Sequence, residues 1–237
     1  MELSSRTLGI LRNFGDINQN LLVDDPKELI TVSETKTILA KATIDESLDQ
    51  RFGLYQVNEF LSCLSVVEKP SLKFGKDRVT ISDEAGISSI QYVYSNEENL
   101  TVPSVRSIPM PDPEVKFNLT VRDLAKLRKA TGVFDYTNVI VSKINEVVTL
   151  SAVELSDDDV NVSKLVNGSA HRYDIAVGGD WNCGDDSVFV LDINNLKLIE
   201  GNYEVELSSK MISHFVNTES SIEYWIALQK QTVVEGV

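Results

Sequence analysis

The feature that most constrains the fold is a repeat within the chain. The segment from Leu3 to Arg12 aligns with the segment from Leu119 to Arg128, with Leu, Arg, Leu, Leu and Arg at matching positions. A weaker match relates residues 55–60 to residues 191–196. Because one copy begins near the start of the chain and the other near its middle, the repeat indicates a duplicated domain rather than a solenoid. We therefore predict two domains that share one order of elements: helix, strands, helix, strands.

A proline-rich stretch separates the two copies. Four of the six prolines of the chain fall between residues 101 and 113. Proline fixes φ and lacks an N–H donor, so this stretch is predicted to be neither helix nor central strand. The sequence therefore predicts a first domain over residues 1–100, an extended connector over 101–113 and a second domain over 114–237.

Hydrophobic spacing predicts the elements of each domain. In the first domain it predicts helices over residues 3–14 and 54–67, and strands over 28–33, 37–44, 72–74, 78–82 and 87–94. In the second it predicts helices over 120–131 and 193–199, and strands over 138–142, 147–152, 170–177, 188–191, 203–208, 211–216 and 222–229. Ser4 is expected to cap the first helix of the first domain, and Thr120 the first helix of the second domain. Gly132 is expected to end the helix that Thr120 begins. The expected fold class is α+β, with two helices packed on antiparallel sheets in each domain.

The charge of the chain is acidic on average but unevenly distributed. A net charge of −14, from 36 acidic and 22 basic residues, argues against nucleic acid because phosphates repel an acidic surface. Residues 3–14 and 120–131, however, together hold six basic residues and a single acid, Asp123. At the average composition those 24 positions would carry about two basic and about four acidic residues. Basic charge is therefore concentrated where the first helix of each domain is predicted.

The predicted helix over residues 120–131 has two distinct faces. Its basic side chains at i, i+4 and i+7 form one stripe along the helix. Its apolar side chains form a second stripe on a different face. Such a helix can lie on a sheet and present its charges to phosphates, or it can be an ordinary solvated surface. No zinc-finger spacing, helix-turn-helix signal or RNA-stacking motif accompanies it. Contact with nucleic acid would therefore involve the backbone and carry no sequence specificity.

Catalytic, metal and cofactor signals are weak throughout the chain. The Gly-Asp-Asp tripeptide at 184–186 is best explained as a turn in a polar loop, and the acidic run at 157–159 as a solvated loop. No phosphate-binding loop and no Gly-x-Ser-x-Gly motif occurs. We expect no catalytic residue, no metal and no cofactor. His171 and His214 are expected to serve packing or surface polarity, and Cys63 is expected to lie in the core. The two cysteines, Cys63 and Cys183, are too few for a disulfide framework and too far apart for a zinc site, which indicates a reducing cytoplasm.

Several segments taken together resemble a known family over essentially the whole length of the chain. The matching segments are residues 3–4, 11–18, 55–65, 189–203 and 224–228. Their order and spacing are similar to those of the sliding clamps of T-even-type bacteriophages, the processivity factors of DNA polymerases, which are similar to the proliferating cell nuclear antigen clamp. An acidic insertion around 157–159 and a longer C-terminal tail depart from the pattern.

The resemblance implies the DNA-clamp fold and a non-enzymatic function. It implies a homotrimeric ring of six similar domains, with helices lining a central hole that encircles duplex DNA and sheets outside. The ring would tether the replicative DNA polymerase, be opened by a clamp loader, and serve other replication or transcription partners in the cytoplasm of an infected bacterial host. No membrane partner is expected.

The resemblance and the charge pattern together suggest three groups of site residues. The ring lining is expected to comprise Arg6, Arg12, Arg122, Lys126, Arg128, Lys129 and Lys197. The subunit interface, formed by edge strands, is expected to comprise Ile87, Ile90, Gln91, Tyr92, Tyr94, His171, Tyr173 and Ile175. An apolar pocket for partner peptides beside the connector is expected to involve Val102, Val105, Ile108 and Met110.

Two other functions stay open from the residues alone. An acidic, strand-rich phage structural protein would bind protein rather than DNA. A hydrolase that uses paired carboxylates would also be acidic, although no motif supports it. Sedimentation with nicked circular DNA distinguishes the first from a clamp, and a broad hydrolase screen tests the second.

Overall fold

The computed structural model describes residues 1–155 and 171–236. The acidic run at 157–159 and the first position of the strand predicted over 170–177 lie outside the described residues. The chain divides into two compact units, Met1–Ser107 and Ile108–Val237. In the described part, no helix is long and apolar enough to cross a membrane.

The first unit contains two α-helices, α1 (Ser5–Ile17) and α2 (Val57–Val66). The Ser4 side chain accepts a hydrogen bond from the backbone N–H of Thr7 at 3.1 Å, so the predicted N-cap of α1 is confirmed. Burial follows the helical spacing, because Ile10, Leu11 and Phe14 all lie in the core. α1 packs on α2 and on strands of its own unit.

The strands of the first unit form antiparallel pairs. They are β1 (Leu21–Val23), β2 (Glu28–Val32), β3 (Ile38–Thr43), β4 (Phe52–Leu54), β5 (Ser71–Phe74), β6 (Arg78–Ser82) and β7 (Ser89–Val93). β1 pairs with β4, β2 with β3, and β5, β6 and β7 form a three-stranded sheet in that order. β7 therefore lies at one edge of its sheet, as the sequence suggested for this segment. A 3-10 turn follows at Glu97–Asn99.

The second unit repeats this plan with more strands. Its helix is α3 (Val121–Phe134), and its strands are β8 (Val115–Leu119), β9 (Asn138–Ile144), β10 (Val147–Val153), β11 (Tyr173–Ala176), β12 (Asp180–Trp181), β13 (Val188–Asp192), β14 (Tyr203–Ser208), β15 (Ile212–Asn217) and β16 (Ile222–Ala227). One sheet has the order β11-β10-β9-β13, and β12, β8, β14, β15 and β16 pair antiparallel in that order. α3 packs against β10 and β11.

Two helix predictions made from the sequence are wrong: the end of α3, and the presence of a helix over residues 193–199. α3 continues through Gly132 to Phe134, and Asp135 instead takes the left-handed conformation that ends the helix, with φ of 56°. Residues 193–199 do not form a helix: only a 3-10 turn, Ile193–Asn195, is present. Leu196 and Leu198 are both buried, and this i, i+2 spacing suits an extended chain rather than a helical one. In the described part, α3 is thus the one α-helix of the second unit.

Four short strands were not predicted from the sequence: β1, β4, β8 and β12. A signal for β8 was present, because Val115, Phe117 and Leu119 alternate with polar residues and are all buried. The segment was overlooked because it directly follows the proline-rich connector. β12 has only two residues and lies in the polar loop that was interpreted as a turn.

Candidate nucleic-acid interface and sheet edges

α3 presents a cationic face opposite its buried face. Leu124, Leu127 and Ala130 are buried against the unit. Arg122 and Lys129 are exposed and form no hydrogen bond or ion pair within the described residues. Lys126 is also exposed, and its Nζ lies 3.5 Å from Oδ1 of Asp123, an ion pair at the surface that contributes little to stability. The three basic side chains of the predicted stripe therefore face solvent.

α1 presents one basic side chain that has no partner among the described residues. Arg12 is exposed, on the side of the helix away from the core. Nη1 of Arg6, in contrast, lies 2.7 Å from Oδ1 of Asp45. The hydrogen bond from Ser4 and the neighbouring Arg6 hold the pKa of the Asp45 carboxyl below its usual value, so this acid stays ionised at neutral pH. The charge of Arg6 is thus largely balanced within the chain.

Arg128, a predicted lining residue on α3, bonds to the segment that follows β13, which contains the predicted lining residue Lys197. Nη2 of Arg128 donates hydrogen bonds to the main-chain carbonyls of Leu196, at 3.0 Å, and Leu198, at 2.9 Å. Lys197, which is half-buried, lies between these two carbonyls in the sequence. Arg128 therefore holds an extended segment in place, a structural role that the helical stripe alone did not indicate.

α2 differs from α1 and α3 because its exposed face carries no basic side chain. Asn58, Glu59, Ser62 and Ser65 are exposed. The Ser62 hydroxyl donates to the Asn58 carbonyl at 2.7 Å, and the Ser65 hydroxyl donates to the Ser62 carbonyl at 2.7 Å. The basic enrichment is thus confined to the first helix of each unit.

β7 presents one face to α2 and the other to solvent. Ile90 and Tyr92 are half-buried, whereas the alternate residues are exposed. The Tyr92 ring packs on Phe60 with centroids 5.4 Å apart, and the Tyr94 ring stacks on Phe52 at 4.9 Å. The Tyr92 and Tyr94 side chains therefore pack within the unit, whereas Ser89, Gln91 and Val93 leave their side chains exposed.

The exposed side chains of the same edge are of two kinds. Ile87 lies in the turn before β7 and is 88% exposed, and Val93 is 62% exposed. Oε1 of Gln91 accepts a hydrogen bond from Nη1 of Arg78 at 2.8 Å. Val93 was missing from the predicted interface, although its alternation with Tyr92 could have identified it.

β11 is the corresponding edge of the second unit. Ile175 is buried, Tyr173 is half-buried, and His171 is exposed just before the strand. The His171 ring stacks on Phe134 with centroids 6.2 Å apart. Phe134 is 45% exposed and was missed from the sequence because α3 was predicted to end before it.

The first half of the connector is bound to the first unit. The Thr101 carbonyl accepts from Nδ2 of Asn18 at 3.2 Å, and the Thr101 N–H donates to Oδ1 of Asn20 at 2.9 Å. Nη1 of Arg106 lies 3.1 Å from Asp24. Of the predicted partner-binding residues, Val102 is half-buried and Val105 is exposed in this half; Ile108 and Met110 belong to the second unit and are half-buried.

The acidic and sulfur-containing residues considered from the sequence do not assemble a reactive site within the described part of the chain. No group of three or more His, Cys, Asp or Glu residues there could hold a metal ion. Asp185 of the Gly-Asp-Asp tripeptide pairs with Nζ of Lys143 at 2.9 Å. Burial raises the pKa of both thiols, Cys63 and Cys183, which disfavours the reactive thiolate.

The chain is similar in sequence and in fold to known proteins. The family described as gp45 sliding clamp, C terminal, matches residues 116–230. The sliding clamp of Vibrio phage KVP40 is 26% identical over 231 residues, covering 97% of this chain and 99% of that protein. The sliding clamp of Escherichia phage RB69 is 27% identical over 235 residues and 97% of each chain. The crystal structure of the proliferating cellular nuclear antigen of Entamoeba histolytica matches with a TM-score of 0.64 at 12% identity, covering 94% of both chains.

The duplicated helix-and-sheet units and the structural likeness define the class of protein: the chain has the DNA-clamp fold. Its sequence is similar over most of its length to the sliding clamps of phages KVP40, RB69 and T4, and its second unit matches the gp45 sliding-clamp family. The resemblance read from the sequence and the predicted α+β fold class are thereby confirmed.

Proposed function

We propose that the chain forms a homotrimeric ring that encircles duplex DNA without sequence specificity and tethers a replicative DNA polymerase. The ring is non-enzymatic, is opened by a clamp loader, and acts in the cytoplasm of an infected bacterial host. It also serves as a platform for other replication or transcription partners. Copies join through the edge strands around β7 and β11, and partner peptides dock beside the connector at Val102, Val105, Ile108 and Met110.

The exposed cationic face of α3 is the observation that carries this proposal. Arg122, Lys126 and Lys129 project from a helix whose opposite face is buried, in a chain with a net charge of −14. A solvated helix in such an acidic chain would be expected to carry more acids than bases. We assign the lining to these three residues and Arg12, with Arg6, Arg128 and Lys197 as contributors whose side chains also serve the fold.

The charge distribution suits a ring that slides. An acidic exterior repels DNA, whereas a few basic side chains inside the ring contact phosphates and release counterions. These contacts can be weak and screened by salt, because the DNA leaves only when the ring opens. A polymerase bound to such a ring stays at high effective concentration near the primer end.

The lining is tested by replacing Arg122, Lys126 and Lys129 with Ala together. The expected result is shorter products per binding event and a lower slope of DNA retention against log salt, since three phosphate contacts are lost. The measurement is retention on singly nicked circular DNA over a range of salt concentrations, together with primer-extension length.

The matched control replaces Lys36, Lys76 and Lys210, three exposed lysines in turns, with Ala. This control changes the net charge by the same amount and is expected to leave retention and salt slope unchanged. Equal behaviour of the two triple variants would show that charge on α3 is not the DNA contact.

A further inference from the structure

The connector has a polar attachment point between its two ends. In the described part of the chain, no main-chain group of residues 102–113, here called the strap, takes part in a hydrogen bond, and Arg106 is the one side chain of the strap that does. A backbone without such partners is held only by side-chain contacts and by the points at which it is attached. The position of the strap therefore depends on the contacts of Thr101, Arg106 and Glu114.

Both ends of the strap are attached through buried groups. Asn18, which is 4% exposed, donates from Nδ2 to the Thr101 carbonyl at 3.2 Å. Glu114, which is 8% exposed, accepts two hydrogen bonds from Ser209, one from its N–H at 2.8 Å and one from its hydroxyl at 2.6 Å. Salt screens buried polar contacts much less than exposed ones. The two ends are therefore fixed over a wide range of ionic strength.

Arg106 is attached differently, through partly exposed carboxylates at the turn between β1 and β2. Its Nη1 lies 3.1 Å from Oδ1 of Asp24, and its Nη2 lies 3.2 Å from Oε2 of Glu28 and 3.6 Å from Oδ2 of Asp25. The rigid fork of the guanidinium thus contacts three acids at once. The Arg106 side chain is 46% exposed, so that water and salt reach this contact.

The acidic side of this contact is preorganised. Oδ1 of Asp25 accepts from the backbone N–H of Lys27 at 2.8 Å and from that of Glu28 at 3.0 Å. The hydrogen bond from Lys27 lowers the pKa of the Asp25 carboxyl, so this acid is ionised at neutral pH. Oε1 of Glu28 pairs with Nζ of Lys41 at 3.0 Å. Departure of Arg106 would leave three carboxylates with a single cation, and their mutual repulsion favours the closed contact.

The Arg106 contact determines how much of the strap is held. With Arg106 in place the strap is divided into two short spans, and without it the strap is one long span between Thr101 and Glu114. A longer unattached span has more conformational freedom to lose when a partner binds. Val105, which is 49% exposed, and Ile108 lie on either side of Arg106 along the chain. Their order therefore depends most directly on this contact.

We propose that Arg106 is a salt-sensitive latch that positions the apolar side chains of the strap for a partner protein. When its guanidinium lies among the three carboxylates, Val105 and Ile108 are ordered before the partner arrives, and binding loses less conformational entropy. When salt screens the contact, the strap is released between its two fixed ends and the affinity falls. This inference rests on the proposed docking of partners beside the connector and adds its dependence on ionic strength.

Trypsin measures the latch directly, because it cleaves after Arg106 only when this side chain leaves its carboxylates and enters the protease. The variant Asp24→Asn/Glu28→Gln keeps Arg106 and its bond to Ser107. Cleavage there should be about fivefold faster than in the parent protein, since local opening limits proteolysis of a folded chain. Mass spectrometry of the fragment that ends at Arg106 gives each rate, which is divided by the rate for a free peptide of the connector sequence.

The matched control is Glu34→Gln/Glu98→Gln, which neutralises two exposed acids of the first unit whose side chains have no partner in the described residues. Its cleavage rate should equal that of the parent protein. Raising the salt concentration from about 0.1 M to about 1 M shortens the Debye length from about 10 Å to about 3 Å, and should accelerate cleavage of the parent more than that of Asp24→Asn/Glu28→Gln. Equal cleavage of the parent and this variant overturns the latch.

Titration with the replicative polymerase encoded by the same genome tests the positioning role. At about 0.1 M salt, the affinity of Asp24→Asn/Glu28→Gln should be about three- to tenfold lower than that of the parent and of the control. At about 1 M salt the difference should vanish because the latch is open in both, whereas a purely structural defect would lower the affinity at both concentrations. Arg106→Lys keeps the charge without the fork and should give an intermediate affinity. Faster cleavage with unchanged affinity overturns the positioning role.

Failure of the proposed function gives a different result. Native mass spectrometry and retention on nicked circular DNA should be the same for all of these proteins, since the substitutions lie at the surface of the first unit. A parent protein that does not bind the polymerase, while the cleavage rates differ as expected, overturns the proposed docking function together with the positioning role. The latch would then remain as a contact of the fold alone.

Discussion

At the scale of single residues, the basic side chains of the first helices have three different environments. Arg122 and Lys129 face solvent without a partner in the described residues, Arg6 is balanced by Asp45, and Arg128 donates to two carbonyls. The charge of these side chains does not distinguish one environment from another. The difference arises because a guanidinium has several donors in a rigid fork and can hold main-chain groups as readily as phosphates.

Replacing Arg128 with Ala should therefore lower stability. The carbonyls of Leu196 and Leu198 would lose a charged donor, and the free energy of unfolding should fall by about 1–3 kcal/mol. Arg122→Ala, a change of the same charge on the same helix, should alter it by less than about 0.5 kcal/mol. Urea denaturation monitored by tryptophan fluorescence measures both. Equal stabilities would mean that the segment after β13 is held by its buried leucines alone.

At the scale of elements, the two units share an order of helices and strands but differ at their second helical position. The first unit has α2 after β4, whereas the second has a 3-10 turn and an extended segment after β13. Leu196 and Leu198 in that segment occupy the core from an extended chain. The carbonyls of this extended segment, which a helix would bond internally, accept hydrogen bonds from Arg128 of α3 instead.

The C-terminal segment affects how the chain associates with other copies of itself. Replacing Val233 with Pro removes the N–H that donates to Val188 and should expose the β13 edge to other chains. We expect assemblies larger than the ring to form as concentration rises, detected by light scattering. Val233→Ala keeps the main-chain bonds and should remain at the mass of the parent protein. Matching profiles for the two variants would mean that the tail does not protect this edge.

At the scale of the whole molecule, the chain is acidic but carries local basic and apolar surfaces, and these determine which partners can approach. The basic surfaces are the exposed faces of α1 and α3, and the apolar surfaces include residues of the connector. An apolar patch on a charged surface is typical of a protein-binding site. A methionine in such a patch adapts to several peptides because its thioether side chain is flexible.

Charge substitution at Ile108 or Met110 should therefore abolish polymerase stimulation while leaving the oligomer mass and DNA retention unchanged. Ser107→Glu adds the same charge at an exposed position of the connector and serves as the control. Titration of a partner peptide from the polymerase into each variant measures affinity directly, and a loss of at least tenfold is expected for Ile108→Glu. Undiminished affinity in both apolar-to-acid variants would place the partner site elsewhere.

Features that depend on neighbours along the chain could be predicted from the amino-acid sequence. The caps at Ser4 and Thr120, the buried face of α1 and the cationic stripe of α3 follow from capping and from helical spacing, which are interactions within a few residues. The duplication was also visible, because the two first helices kept the same residues at the same spacing.

Features that join distant segments could not be predicted and became visible in the folded chain. Arg6 meets Asp45, Arg128 meets the carbonyls after β13, and Val233 covers β13, and each of these contacts spans a separation that no local pattern encodes. The position of β7 and β11 at the edges of their sheets likewise depends on how each strand pairs with its neighbour. Strand pairing and long-range hydrogen bonds are set by the packing of the whole unit, which is why charge and periodicity located the lining helix but not which of its side chains are engaged by the fold.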